Sequence, residues 1–243
     1  MSSFQNFLCP DRGCFQGRLA GVILCIMLVL VPANGVRSSI NIDLLLVLAL
    51  DVSGSVDEHE FELQTKGLAD AFRHPSVLHA IRRGKTKRVA VTVVQWAGHK
   101  QQHVALPWVV ISDSSSLASF ANSLDQMRRS YPDGATDIAG VIEVSTKLLV
   151  SAPFAAERRT IDISGDGEHN IGDSPRSLCD AAVSVGITVN GLAILNSSNN
   201  LVDYYRTNVI GGPGSFVISA INYDDFRRAI LLKLLREFDV RLT

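Results

Sequence analysis

The sequence has almost no net charge and contains few cysteines. The formal net charge is −1 over 243 residues, and only four cysteines occur. Nucleic acids and anionic membranes attract strongly basic proteins, so a balanced chain gives no global field that favours either partner. The one basic cluster, residues 82–88, is expected to be a solvated loop between a helix and a strand. We therefore expect no nucleic-acid partner.

The N-terminal segment has the features of a secretory signal peptide. Two arginines precede an apolar run over residues 19–31, and residues 33–35 form a small-x-small pattern. The run is short for a transmembrane helix, which needs about 20 residues. We therefore predict a signal peptide at residues 1–35 and a mature domain at residues 36–243 that is exported to the periplasm or secreted, without membrane insertion of that domain. An uncleaved segment would instead anchor the protein in the inner membrane.

Removal of that segment leaves Cys179 alone in the mature chain. An exported protein with one cysteine forms no internal disulfide and no thiolate metal cluster. Cys179 falls in a helical pattern and is expected to be a small buried hydrophobe. The sequence also has no His-Glu-x-x-His spacing and no Gly-x-Ser-x-Gly elbow. We expect no catalytic residue and predict that the protein is not an enzyme.

An apolar run at residues 44–50 ends abruptly at Asp51 and predicts a strand buried on both faces, as in a parallel sheet. Pro107 places the strand that contains it at an edge. The alternation of strands and helices predicts an α/β fold with one doubly wound, mostly parallel sheet, helices on both faces and one short antiparallel edge strand. The further predicted strands are 88–96, 103–111, 159–164, 187–194 and 215–219, and the helices are 57–73, 114–129, 138–149, 175–185, 202–208 and 224–238.

Three of the predicted loops carry oxygen side chains. The first holds Asp51, Ser53 and Ser55, the second holds Thr136, and the third holds Asp166 between two glycines. Ligands of open α/β sheets bind outside the carboxyl ends of the strands, where these loops are expected to meet. The pattern therefore predicts a cation site with hard oxygen ligands.

The order of these motifs resembles the metal-ion-dependent adhesion site of von Willebrand factor type A domains. Asp-x-Ser-x-Ser, a Gly-x-Thr-Asp loop and a later Asp-Gly carry the resemblance, which spans residues 43–238. The stretches 94–96, 161–167, 190–194 and 209–214 are similar to a bacterial branch of that family, a domain of unknown function in exported proteins.

This resemblance implies a Rossmann-like fold and a specific ligand set. The side-chain oxygens of Ser53, Ser55 and Thr136 would bind the metal, while Asp51 and Asp166 would act directly or through bridging water. The implied metal is Mg²⁺, with Mn²⁺ or Ca²⁺ as alternatives. An acidic side chain from a partner protein would replace a water and complete the coordination, which makes the domain a protein-binding module.

Two other functions stay open from the sequence. A metal-dependent hydrolase would use the same ion to activate water, and a structural domain would keep the fold with a vestigial site. One residue departs from the family pattern, because Gly165 precedes Asp166 where many relatives have threonine. We expect Asp57, Asp133 and Asp137 to be helix caps or turn residues rather than ligands.

Overall fold

The centre of the fold is a long apolar strand, β1, which runs over Ile40–Asp51 and is buried from Ile42 onward. The structure is a computed structural model that describes residues 40–196 and 200–239. The predicted signal peptide, residues 1–35, and three of the four cysteines lie outside the described residues. Every described residue belongs to one compact unit.

The sheet has six strands in the order β3-β2-β1-β4-β5-β6. All pairings are parallel except that of β2 with β3, so the predicted doubly wound, mostly parallel sheet is confirmed. The predicted antiparallel edge strand is also confirmed, although at 10 residues it is longer than expected. The strands that follow β1 are β2 (Val89–Trp96), β3 (Gln102–Ile111), β4 (Phe154–Gly165), β5 (Thr188–Ile194) and β6 (Val217–Ala220).

Helices cover both faces of this sheet, as predicted. The helices are α1 (Glu58–Arg73), α2 (Pro75–Arg82), α3 (Ser114–Asp125), α4 (Ile138–Val150), α5 (Pro175–Ser184), α6 (Leu201–Asn208) and α7 (Phe226–Phe238). Helices α1, α2, α3 and α7 pack on one face around Leu46, Leu48 and Leu50 of β1. Helices α4, α5 and α6 pack on the other face around Leu45, Val47 and Ala49. Successive β1 side chains therefore point into two separate apolar cores.

The first helix begins as its sequence predicts. Asp57 accepts a hydrogen bond from Glu60 N, and the Glu60 side chain accepts one from Asp57 N, which makes a capping box. The helix ends before His74 and Pro75, but Pro75 then starts α2, which the sequence reading missed. Proline fits the first position of a helix because its missing N–H has no partner there.

Two boundaries differ from the prediction by several residues. Helix α3 ends at Asp125 rather than at residue 129, and the chain beyond it instead binds Gln95 of β2 through Arg128 O and Ser130 N. Strand β4 begins at Phe154 rather than at residue 159. Its first half mixes phenylalanine and alanine with charged residues and is only partly buried, so the continuous buried pattern starts late, while backbone pairing with β1 already holds at Phe154 opposite Ile40. Among the described residues, no helix combines the length and hydropathy needed to cross a bilayer.

Helix α7 is attached to the sheet by a buried group of charges. Lys233 is 0 % exposed. Its Nζ lies 3.1 Å from Asp162 Oδ1 in β4 and 3.5 Å from Glu237 Oε1. The same Glu237 oxygen accepts a hydrogen bond from Asn190 Nδ2 at 2.7 Å. A single buried cation thus sits between two buried carboxylates and joins the last helix to β4 and β5.

Replacing Lys233 with methionine leaves those two carboxylates without their cation at nearly unchanged volume. We expect Lys233→Met to lower the free energy of unfolding by about 3–5 kcal/mol, because an uncompensated buried charge is strongly destabilising. Urea unfolding measures the change. The control is Lys147→Met, which removes an exposed pair with Glu143 and should cost less than about 1 kcal/mol. Equal effects of the two substitutions would contradict a stabilising role for the buried group.

Candidate metal centre

The first loop of the site follows directly from β1. Asp51 is the last residue of that strand and is 0 % exposed. Its Oδ1 accepts a hydrogen bond from Ser53 N at 2.8 Å, which turns the chain sharply. The turn brings Ser53 Oγ to 3.2 Å from Ser55 Oγ. Ser53 is buried, whereas Ser55 is exposed and faces solvent.

Neighbouring elements hold the backbone of this loop in place. Gln64 Nε2 in α1 donates to Asp51 O at 3.1 Å. Arg129 Nη2 donates to Val52 O at 3.2 Å and to Ser53 O at 2.9 Å. These donors satisfy the buried loop carbonyls and so fix the path of the loop backbone.

The second loop supplies Thr136 and is joined to the third. Thr136 N donates to Asn170 Oδ1 at 2.9 Å, and Asn170 N donates to Thr136 O at 3.1 Å. A Cβ placed on Gly167 would lie 3.7 Å from Thr136 Oγ1, so the threonine hydroxyl lies beside the third loop. Asp137 is occupied elsewhere, because its side chain accepts from Gly140 N and caps α4 as expected.

The third loop meets the first through Asp166, whose Oδ1 accepts a hydrogen bond from Ser55 Oγ at 2.7 Å. The second loop meets the first through the backbone, where Gly54 N donates to Gly134 O at 2.9 Å. The structure therefore brings together the three loops that carry the sequence-predicted residues. These residues are Asp51, Ser53, Ser55, Thr136 and Asp166.

Gly165 has a steric reason to be glycine. A Cβ at this position would lie 2.8 Å from Asp51 Oδ2 and 2.9 Å from Tyr205 Oη. Either distance is too short for a carbon atom, so only glycine lets β4 end this close to the buried carboxylate. At residue 165, where the chain departs from the family pattern, glycine thus leaves the space behind Asp51 to the side chain of Tyr205 in α6.

The electrostatics of the loops favour a cation. Burial, and next the negative charge of Asp166, raise the pKa of the Asp51 carboxyl to about 7, although hydrogen bonds from Ser53 partly offset this shift. Asp51 Oδ2 is buried without a hydrogen-bond partner in the part of the chain that the structure describes. A divalent cation would give this oxygen a partner and neutralise the two carboxylates, so the donor set fits a hard cation.

Tyr205 is a residue of the site that sequence reasoning missed. Its hydroxyl is buried, without a partner among the described residues, and faces the same space as Asp51 Oδ2. Burial, followed by the charges of Asp51 and Asp166, raises its pKa well above the ordinary value, so the hydroxyl stays protonated and available as a donor. The Tyr204-Tyr205 pair in a short helix gave no indication of this role.

Residues 40–196 and 200–239 contain no metal-binding cluster of three or more of the usual charged or thiolate and imidazole ligands. No group of three or more histidine, cysteine, aspartate or glutamate side chains is placed to hold a metal there. Cys179 is buried in the α5 face of the core, as predicted, and burial raises the pKa of its thiol to about 11. The candidate metal centre at the loops thus differs from such clusters, because it has two carboxylates and three hydroxyls.

Comparisons with known proteins agree with this fold. The family described as "Protein of unknown function (DUF1194)" matches residues 41–241 of the chain. No curated protein matches it in sequence.

Solved structures give the fold. Proximal thread matrix protein 1 of the mussel byssus, with a zinc-occupied MIDAS motif, has a TM-score of 0.58 and 14% identity over 82% of this chain and 48% of that one. A von Willebrand factor type A protein of Catenulispora acidiphila has a TM-score of 0.55 and 14% identity over 81% and 43%. The pilus adhesin SpaC of Lactobacillus rhamnosus GG has a TM-score of 0.54 and 13% identity over 83% and 31%. The fold is that of von Willebrand factor type A domains, and this chain spans half or less of each of these structures.

The crowding around Gly165 predicts a contrast between two glycines of the same loop. We expect Gly165→Ala to lower the free energy of unfolding by about 1–3 kcal/mol, because the new methyl group must displace Asp51 or Tyr205. Gly167→Ala places its methyl group at ordinary contact distance from Thr136 and should change stability by less than about 1 kcal/mol. Urea unfolding of both variants measures the difference. Similar values would contradict the close packing behind Asp51.

The raised pKa of Asp51 predicts a pH dependence of stability in the presence of a chelator. Between the unfolded value of about 4 and the folded value of about 7, the folded state holds a proton that the unfolded state has lost. Rising pH therefore destabilises the protein across this window. We expect Asp51→Asn, which cannot ionise, to show a smaller loss of stability from pH 4 to pH 7. Equal losses in the native protein and the variant would contradict the burial of this charge.

Proposed function

The chain belongs to the DUF1194 family, and we propose that its domain is a metal-dependent protein-binding module. The domain binds a divalent cation through Asp51, Ser53, Ser55, Thr136 and Asp166, and an acidic side chain of a partner protein completes the coordination. The observation that carries the proposal is the buried, unpartnered Asp51 Oδ2 at the point where three oxygen-bearing loops meet. A buried carboxylate oxygen without a partner is costly, and a bound cation removes that cost.

We propose Mg²⁺ as the resident cation, with Mn²⁺ or Ca²⁺ as alternatives. Two carboxylates balance a divalent charge, and three hydroxyls add dipoles without further charge. Mg²⁺ is bound in proteins by few carboxylates and keeps several waters, which suits a site with only two acidic side chains. The mussel protein has zinc in its metal-ion-dependent adhesion site, or MIDAS motif. This supports binding of a divalent cation by this fold, but it does not identify the metal that this chain binds.

The exposure of the site supports a ligand from outside the chain. Of the five proposed ligands, Ser55 is exposed at the surface of the first loop, whereas Asp51, Ser53, Thr136 and Asp166 are buried. Ser55 is therefore the position at which a ligand from outside the chain would reach a cation held by these residues. When bound, the ion acts as a Lewis acid that attracts an anionic oxygen, and a partner carboxylate is the side chain that offers one.

Binding rather than catalysis is the role that we assign to this site. The five proposed ligands include no histidine or lysine, and we assign the contact of Ser55 Oγ with Asp166 Oδ1 to metal binding rather than to activation of a nucleophile. The predicted signal peptide at residues 1–35 leads us to propose that the domain is exported and meets its partner outside the cytoplasm.

Metal binding is tested at Thr136 with two substitutions that separate the hydroxyl from side-chain shape. We expect Thr136→Val to weaken Mg²⁺ binding by about tenfold or more, because it removes a ligand oxygen at equal volume. Thr136→Ser keeps the oxygen and should bind almost as the native protein does. Calorimetric titration gives the affinities, and the Mg²⁺-induced rise of the melting temperature gives an independent measure. Equal affinities for the valine and serine variants would contradict the assignment.

A partner that depends on the metal is expected to be captured in Mg²⁺ and released by chelator. The control for capture is the Thr136→Val variant, which keeps the fold and the surface but lacks the hydroxyl. A partner held equally by that variant, or retained in chelator, would contradict metal-mediated binding. Replacement of single acidic residues of the captured partner then identifies the carboxylate that reaches the metal.

A further inference from the structure

A cavity of about 220 Å³ lies far from the metal loops, between the sheet and the last turns of α7. Its floor is formed by the middle of β4 and the start of β5, where Thr160 lies opposite Thr188 in register. Thr160 and Asp166 are six residues apart on β4, which corresponds to about 20 Å along a strand. The cavity is thus separate from the candidate metal centre.

The floor of the cavity is polar, although it lies under a helix. Further along the same face, Leu192 and Ile194 of β5 belong to the apolar core. At the cavity, Thr160, Thr188 and Asn190 line the sheet instead. The two threonine hydroxyls make no hydrogen bond within the described residues, whereas the Asn190 carboxamide binds Glu237 Oε1 and Phe216 N. Two hydroxyl groups therefore remain available to a ligand.

Three arginines line the cavity, and most of their donors are free. Arg158 Nη1 donates to Glu237 O at 2.9 Å, and Arg159 Nη2 donates to Val185 O at 2.6 Å. Each contact uses one donor of a guanidinium that has five. These contacts hold the two arginines beside the ends of α7 and α5. Their other N–H groups have no hydrogen-bond acceptor among the described residues.

The third arginine, Arg236, is held in place by an aromatic ring and not by a hydrogen-bond acceptor. The Arg236 guanidinium carbon lies 4.0 Å from the centroid of the Phe216 ring, stacked on its face. It makes no hydrogen bond or ion pair in the described part of the chain. A stacked guanidinium keeps its N–H edge exposed, which is the geometry that recognises carboxylate and phosphate groups.

Each carboxylate at the cavity has a lysine partner outside it, although Glu237 shares Lys233 with Asp162. Glu157 Oε1 accepts from Lys85 Nζ at 3.0 Å. Glu237 Oε1 accepts from Asn190 and lies 3.5 Å from the buried Lys233 Nζ. Neither carboxylate forms an ion pair with Arg236, so the cavity lining is rich in donors and poor in free acceptors.

We propose that this cavity, which we name the arginine cavity, binds a small multivalent oxyanion. Arg236 offers paired N–H groups, and the hydroxyls of Thr160 and Thr188 offer donors from the floor. Its volume is below the range of about 300–1,000 Å³ that is typical of pockets for drug-sized ligands, so the ligand is small. Phosphate and polycarboxylate groups share this chemistry. The proposal does not depend on metal binding at the loops of β1 and β4.

Such an anion would join the last helix to the sheet. Arg236 belongs to α7, while Thr160 and Thr188 belong to β4 and β5. A ligand that contacts both sides binds only the folded state, and it should therefore raise the melting temperature as its concentration rises.

Calorimetric titration with inorganic phosphate and with citrate tests the proposal, in chelator so that no divalent cation takes part. Chloride at matched ionic strength controls for general salt effects. We expect saturable binding of at least one oxyanion to the native protein. Arg236→Gln should weaken that binding by about tenfold, which is the loss expected for a charge-assisted contact. Arg227→Gln makes the same charge change on the same helix, outside the cavity, and should leave the affinity unchanged.

The outcomes separate the sources of the anion and allow the proposal to fail. Saturation by phosphate alone assigns a phosphorylated ligand, and saturation by citrate alone assigns a polycarboxylate. Thr188→Val, which removes a floor hydroxyl at equal volume, should also weaken binding and provides a second variant that keeps the helix surface intact. Absence of saturable binding of either anion, or equal affinity of the Arg236 and Arg227 variants, would overturn the proposal.

Discussion

The structure depends on one constraint, the burial of the Asp51 carboxylate at the end of the central strand. β1 is buried on both faces, so the carboxylate at its carboxyl end has no access to bulk water. One of its oxygens is held by Ser53 N, and the other has no partner among the described residues. Gly165 and the Tyr205 hydroxyl lie beside that second oxygen.

The backbone of the loops around Asp51 is held by side chains outside the candidate ligand set, in addition to the hydrogen bonds among the candidate ligands themselves. Arg129 and Gln64 satisfy loop carbonyls, and Asn170 joins the second and third loops. The five candidate ligands are therefore positioned before any cation binds. Preorganisation of this kind reduces the entropy lost on binding, and it explains how a weakly charged set of two carboxylates can serve as a divalent site.

Local patterns predict much of the fold and of the site. The apolar run of β1, the Asp57 capping box and the edge position of β3 all follow from neighbouring residues in the sequence. The convergence of Ser55 with Asp166 was expected because parallel strands end at one edge of the sheet. Helix α2 was missed because Pro75 indicates a helix end as well as a helix start.

Contacts between distant segments were beyond the reach of sequence reasoning. Tyr205 lies behind Asp51 only because α6 packs against Gly165, and no local motif marks that pairing. Lys233 lies in a helical pattern where a lysine is ordinarily exposed, yet it is buried against Asp162. The arginine cavity likewise combines residues of β4, β5 and α7, whose relation depends on strand order.

A crystal structure of the protein grown with Mn²⁺, with anomalous diffraction recorded at the manganese edge, tests the central claim most directly. The account predicts one strong anomalous peak bonded to the hydroxyl oxygens of Ser53, Ser55 and Thr136, with Asp51 and Asp166 bound directly or through water. A fully occupied manganese elsewhere with this position empty, or no anomalous peak at saturating Mn²⁺, would contradict it.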